Sequence, residues 1–120
     1  MANPFVEFEL NTTDVAAAKA FYSRLFDWQF EDDPMGSDPY ITVDTGGEVG
    51  GGIVKNPVSS DPSAWIPYVA VDDVAEATQK ARSLGATIWK GATEITGHGT
   101  YSIIADPTGA VLGLWTSSEE

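Results

Sequence analysis

The sequence predicts an α+β fold: two tandem βαβββ modules forming an open, curled mixed sheet around a cavity. Three observations predict it. A helical pattern is written twice: "DVAAAKAFYSRL" from Asp14 and "DVAEATQKARSL" from Asp73 share Asp, Val, Ala, Ala and Leu at matched positions, 59 residues apart. A short apolar and aromatic stretch precedes each copy, "FVEFEL" (Phe5 to Leu10) and "AWIPYV" (Ala64 to Val69). A Gly-x-Val-x-Gly strand closes each half, through Gly47, Val49 and Gly51, then through Gly109, Val111 and Gly113. A fixed internal period marks a repeated supersecondary unit.

The first strand is expected near 4–11. In it Phe8 and Leu10 alternate with Glu7 and Glu9, the pattern of a half-buried strand. Asp14 is a natural N-cap for the first helix, whose Val15, Ala18, Tyr22 and Leu25 fall on one face. Strands near 27–32, 39–44 and 48–54 complete module 1, at about 4–54. "VKNPVSSDPSA", with two prolines and three serines, supplies a linker at 55–63. Module 2, at about 64–116, opens with a strand near 64–71. Asp73 and Glu76 form a capping-box-like pair for its helix, Val74, Ala77, Ala81 and Leu84 repeat the apolar face, and Gly85 stops it. Strands near 86–90, 100–105 and 110–116 follow. The last two are joined by "DPTG", where proline fixes φ and glycine supplies the free corner. The tails of the halves align at an offset of 62, pairing Asp44 with Asp106 and Gly51 with Gly113.

Composition narrows the function classes. A chain of 120 residues reads as one domain, and with no cysteine it has no disulfide, thiolate ligand or cysteine nucleophile. A net charge of -12 with six Lys+Arg disfavours nucleic acid and anionic membranes as partners. No basic n-region and no apolar run of about 20 residues is visible, so a soluble cytoplasmic protein is expected. There is no dinucleotide fingerprint, no P-loop and no GxSxG elbow.

Asp14 with "AKAFYSRLFDW", the glycine-rich strand, "WIPYVAVDDV", the "LGA" at Leu84 and "IADPTGAVLGLW" together resemble the vicinal oxygen chelate superfamily, the glyoxalase, bleomycin-resistance and ring-cleaving dioxygenase fold. The resemblance spans nearly the whole chain. It implies four metal-ligand positions, on the first and last strand of each module. Here these are Glu7, Ile66 and positions close to Gly51 and Gly113, which offer one ligand-capable side chain. A catalytic metal generally needs three protein ligands and an open position, so no metal cofactor is expected. A weakly held divalent ion at Glu7 is the alternative.

The expected reading is therefore a glyoxalase-like protein binding a small organic molecule. Glu7, Glu9, Gly51, Trp65, Ile66, Tyr68, His98, Tyr101, Gly113 and Trp115 are the candidate contacts. Trp and Tyr suit a flat or apolar ligand, but they equally serve core packing. Glu7 and Glu9 share a strand face about 7 Å apart. Partial burial and mutual repulsion would raise a carboxylate pKa, making Glu7 a candidate general base. His98, in "TGHGT", reads as an exposed turn residue or a pocket-rim residue. The rival readings are a metal-assisted lyase, isomerase or dioxygenase-type enzyme, and a non-catalytic dimeric module. The resemblance and an open sheet edge both point to a homodimer.

Overall fold

The computed structural model describes residues 2–33, 40–56, 62–95 and 97–118. The chain divides into two compact units, Val6–Ile66, and Pro67–Glu120 with Met1–Phe5. The first holds β1 (Phe5–Thr12) from Val6 onward, α1 (Val15–Leu25), β2 (Gln29–Asp33), β3 (Tyr40–Asp44), β4 (Gly50–Lys55) and the start of β5 (Ala64–Ala70) as far as Ile66. The second holds β5 from Pro67 onward, α2 (Val74–Ser83), β6 (Thr87–Ile95), β7 (Gly99–Ala105) and β8 (Val111–Ser117). Each is βαβββ. Strand order is β2-β3-β4-β1 in one and β6-β7-β8-β5 in the other. In each, the first and last strands run parallel and the remaining pairs are antiparallel.

The helices start where the aspartates place them. Asp14 Oδ1 accepts from the Ala17 N–H at 3.0 Å, and Asp73 Oδ1 from the Glu76 N–H at 3.0 Å. Each cap satisfies one of the donors that a helix N-terminus leaves unpaired. α2 ends at Leu84 and Gly85, whose φ of 106 is the left-handed conformation that glycine adopts freely. α1 ends on the extended Phe26, whose N–H reaches the Tyr22 carbonyl at 3.0 Å.

The inner face of α1, through Val15, Ala18 and Tyr22, packs on Leu10, Ile41, Val43 and Ile53, with Trp28, Phe30 and Trp65 around them. In the second unit Thr78 on α2 donates to the Val74 carbonyl at 2.6 Å and shares a 2.8 Å hydrogen bond with Ser102 on β7. Both hydroxyls are buried, and this pairing removes the cost of leaving either one dry and alone. No helix among the described residues is long and apolar enough to cross a membrane.

Three expectations need correction. Leu25 and Leu84, expected on the buried faces of the two helices, are 54% and 69% exposed, because each lies at the C-terminal end of its helix, beyond the turns that pack on the sheet. β6 runs on to Ile95, five residues past the expected end at 90. Gly91 does not terminate it, because register shifts between Ile88 and Thr93 absorb the extra residues as an irregular bulge. The tail alignment is also one residue out. Tyr68 pairs with Gly113, and Glu9, 59 residues before Tyr68, pairs with Gly52 rather than Gly51. The cause is the turn. Asp44 and Asp106 do the same job, each Oδ1 accepting from the N–H two residues on. From Asp44 to Gly52 is eight residues, however, against seven from Asp106 to Gly113. One extra residue in a turn exchanges the two faces of the strand that follows. Of the linker expected at 55–63, Lys55 closes β4, and 57–61 lie outside the described residues.

Candidate functional site

Strand alternation sorts the first unit into two faces. Leu10, Ile41, Val43 and Ile53 take the α1 side. Glu7, Glu9 and Asn11 of β1 therefore take the other, with Gly50 and Gly52 of β4 and Tyr40 and Thr42 of β3 as their neighbours in register. On this face the Tyr40 hydroxyl donates to Glu7 Oε2 at 2.9 Å, and Glu9 is within hydrogen-bonding reach of the same hydroxyl. Gly52 makes this possible. A Cβ there would overlap the Tyr40 hydroxyl and ring, so the phenol crosses β4 over a position with no side chain.

The electrostatics follow from burial. Burial raises the Glu7 carboxyl above its ordinary value, and the Tyr40 hydrogen bond offsets part of that rise. Burial, then the charges of Glu9 and Glu7, push the Tyr40 phenol far above its usual range. Tyr40 thus remains a protonated donor throughout the physiological range. It has one proton to give, and Glu7 takes it. Asn11 completes the row: it is buried at 4% exposure, and its Oδ1 has no hydrogen-bond partner. A buried acceptor without a donor is costly, so this oxygen marks a place for a donor.

The second unit repeats the device with different chemistry. Tyr68, buried at 2% exposure, lies over Gly113, where a Cβ would overlap its ring. Tyr101 stands edge-on to Tyr68, with ring centroids 6.4 Å apart, and pairs across the strands with Trp115. Tyr68, Tyr101, Gly113 and Trp115 therefore share one sheet face, opposite to Ser102, which binds α2.

Other expected contacts fall elsewhere. Gly51 lies on the α1 side, where a Cβ would stand 3.0 Å from the Phe8 carbonyl and 3.6 Å from Val43 Cβ, so it is a close-packing position and leaves no hollow. Trp65 also belongs to the α1-side core. Its Nε1 donates to the Tyr22 hydroxyl at 3.1 Å, and its ring meets Tyr22 and Trp28 edge-on. Ile66, by contrast, is buried at 4% exposure and, two residues before Tyr68 on β5, takes the same strand face as Tyr68. His98 is exposed in the turn between β6 and β7, its N–H donating to the Ile95 carbonyl at 2.9 Å. Sequence reasoning missed Tyr40, Gly52 and Asn11. The alternation of Tyr40 and Thr42 against Ile41 and Val43 was the available signal for the first. Asn11 follows from continuing the Glu7–Glu9 face by two residues.

These residues do not fit the four-ligand metal set that the resemblance implied. Gly52, Gly113 and Ile66 bring no donor atoms, and Glu7 is engaged by Tyr40. Among the described residues no three His, Asp or Glu side chains are grouped as metal ligands would be.

Comparisons with known proteins agree on the fold. The family model described as the Glyoxalase/Bleomycin resistance protein/Dioxygenase superfamily matches residues 5–114. A putative glyoxylase, CFP32, of Mycobacterium tuberculosis is 37% identical over 115 residues, covering 92% of this chain and 44% of the relative. The anthracycline biosynthesis protein DnrV of Streptomyces peucetius is 27% identical over 124 residues, covering 90% and 45% respectively. The chain thus spans about half the length of the curated relatives it matches. Among solved structures, a hypothetical protein of Bacillus halodurans superposes with a TM-score of 0.69 at 12% identity, covering 100% of this chain and 98% of the other. Methylmalonyl-CoA epimerase of Mycobacterium tuberculosis superposes with a TM-score of 0.66 at 12% identity, covering 96% and 88%.

Proposed function

Because this chain belongs to the glyoxalase/bleomycin resistance/dioxygenase superfamily, we propose that it binds a small organic molecule, without a resident metal, on the β1 face that carries Glu7, Glu9 and Asn11. One observation carries the reading: the buried Asn11 Oδ1 has no hydrogen-bond partner, on the same strand face as the Glu7 carboxyl that Tyr40 holds. A ligand presenting N–H or O–H groups supplies what the face lacks. The chain's net charge of -12 favours a neutral or cationic molecule over an anionic one. By the same argument, the acyl-CoA ligand of the methylmalonyl-CoA epimerase neighbours is a poor model for this chain, since acidic residues repel phosphates. In the other unit, the partly buried Tyr101 and Trp115 offer flat apolar surface suited to a ring.

The raised Glu7 favours a second reading, a proton-transferring enzyme. A carboxylate lifted toward neutrality accepts a proton more readily than an ordinary one, and the adjacent Tyr40 holds it in place.

Native mass spectrometry of untagged protein purified without chelator tests the first reading. The expected spectrum is metal-free and carries an organic mass that Glu7→Ala releases. One tightly held divalent ion per chain overturns it.

A further inference from the structure

The sheet of the first unit sorts charge by face. The basic residues of this unit are Lys19 and Arg24 on α1 and Lys55 on β4. Lys55 follows the core residue Ile53 by two positions and so shares its α1 side. On that side Lys19 meets Asp32 of β2 at 3.7 Å. The opposite face receives Glu7 and Glu9 from β1, Asp44 from β3 and Glu31 from β2, and none of the three bases. Asp44 is committed to its turn, where its Oδ1 accepts from the Gly46 N–H at 2.9 Å.

One row joins two of the remaining carboxylates. Glu31, Thr42, Gly52 and Glu9 are successive partners in register across β2, β3, β4 and β1. A carboxylate stands at each end, with a threonine and a glycine between, and the Tyr40 phenol lies over the glycine. At about 4.8 Å per strand, the ends of the row are about 14 Å apart. Two residues beyond Glu9, on the same strand face, Asn11 is 4% exposed and its Oδ1 has no hydrogen-bond partner.

We propose that this row binds a linear polyamine, with one terminal ammonium at Glu9 and Asn11, the other at Glu31, and the methylene chain crossing Thr42 and Tyr40. The inference rests on the binding reading above and names its ligand class.

Each part of such a ligand answers a part of the row. An alkylammonium carries three N–H donors and no acceptor. It gives Asn11 Oδ1 the donor that this buried oxygen lacks. It also places a positive charge beside Glu7 and Glu9, two carboxylates that converge on one Tyr40 hydroxyl. The Tyr40 ring offers apolar surface to the methylenes. Glu31 is exposed at the sheet edge, so the second ammonium stays partly solvated and adds affinity through charge. Length then becomes the selective property. A short diamine neutralises one end of the row, and a polyamine long enough to span it engages both.

Isothermal titration calorimetry of the full chain with spermine, putrescine and Mg²⁺ tests this. Spermine should bind one to one and roughly tenfold or more tighter than putrescine. Glu31→Gln should bring spermine down to the affinity of putrescine and leave putrescine unchanged. Glu9→Gln should weaken both amines by roughly tenfold or more. Thr42→Lys sets a fixed cation at an exposed position in the middle of the row and should abolish spermine binding, with circular dichroism confirming the fold. Glu76→Gln, on the outer face of α2, should change nothing. Equal affinities for spermine and putrescine overturn the proposal, as does Mg²⁺ binding tighter than spermine. A loss at Glu76→Gln equal to that at Glu31→Gln also overturns it, by showing diffuse adsorption to an acidic chain. If spermine does not bind while native mass spectrometry still finds an organic mass that Glu7→Ala releases, the polyamine falls and the binding reading stands. If neither is seen, both fall.

Discussion

In the first unit a tyrosine from β3 crosses over Gly52, and in the second a tyrosine from β5 lies over Gly113. Both rings fill the space of an absent side chain. What stands across from the glycine differs. β5 puts Tyr68 itself opposite Gly113, so partner and cover are one residue. β1 puts Glu9 opposite Gly52, and a carboxylate cannot serve as an apolar lid. The cover must come from β3, and its hydroxyl must find an acceptor, which Glu7 provides. A repeated backbone has thus been given an acidic, hydrogen-bonded face in one unit and an aromatic face in the other.

The largest test of this difference is alanine at each glycine. Gly113→Ala forces a methyl into a buried ring and should cost about 2–3 kcal/mol in urea unfolding. Gly52→Ala meets the hydroxyl end of the half-buried Tyr40, which can swing away, and should cost about 1–2 kcal/mol. Equal losses would break the comparison.

Next in size is Tyr40→Phe, expected to cost about 1–2 kcal/mol by leaving Glu7 without its donor. NMR titration of the Glu7 carboxyl should then show its midpoint move further up. An unmoved midpoint would mean that the hydrogen bond does not govern Glu7. The caps should look alike in the two units: Asp14→Ala and Asp73→Ala should each cost about 1 kcal/mol by thermal unfolding.

The smallest effects concern pH, and they have opposite signs in the two units. Glu7 has a raised pKa in the folded chain, so the folded state holds this proton more tightly than the unfolded state. Its contribution is fully present below the unfolded carboxylate pKa and is lost as pH rises through the folded value. Glu7→Gln should remove that decline and be at least as stable as the parent at neutral pH. Asp106 is lowered by hydrogen bonds from Thr108 and from the Ala110 and Thr108 N–H groups. Its contribution is present above the unfolded pKa and lost as pH falls through the folded one. Asp106→Asn should flatten the acid limb of the stability curve and leave the alkaline limb unchanged.

The helices, their caps and the βαβββ order were legible because they rest on local rules: a 3.6-residue apolar period, an aspartate at each N-cap, a DPTG turn. The strand faces near the glycines were not. Which of Gly50, Gly51 and Gly52 faces Glu9 depends on one extra residue in a turn, and period-two patterning turns that difference into the opposite face. Trp65 looked like a cavity residue because first-strand position and aromatic chemistry are all that a sequence shows. Its hydrogen bond to Tyr22 is a tertiary fact, joining residues 43 positions apart. Tyr40 escaped notice for a similar reason: nothing beside it in the chain reveals that Glu7, 33 positions earlier, accepts from its hydroxyl.

The aromatic cluster beneath α1 has a spectroscopic consequence. Trp28 and Trp65 both sit within about 6 Å of the Tyr22 ring, and the Trp65 indole N–H is bound to the Tyr22 oxygen. Light absorbed by Tyr22 is therefore handed to two neighbouring indoles for as long as the helix stays docked. Undocking would quench that transfer and shift indole emission to the red, so the first unit carries a built-in optical gauge of its own integrity, readable with no label attached.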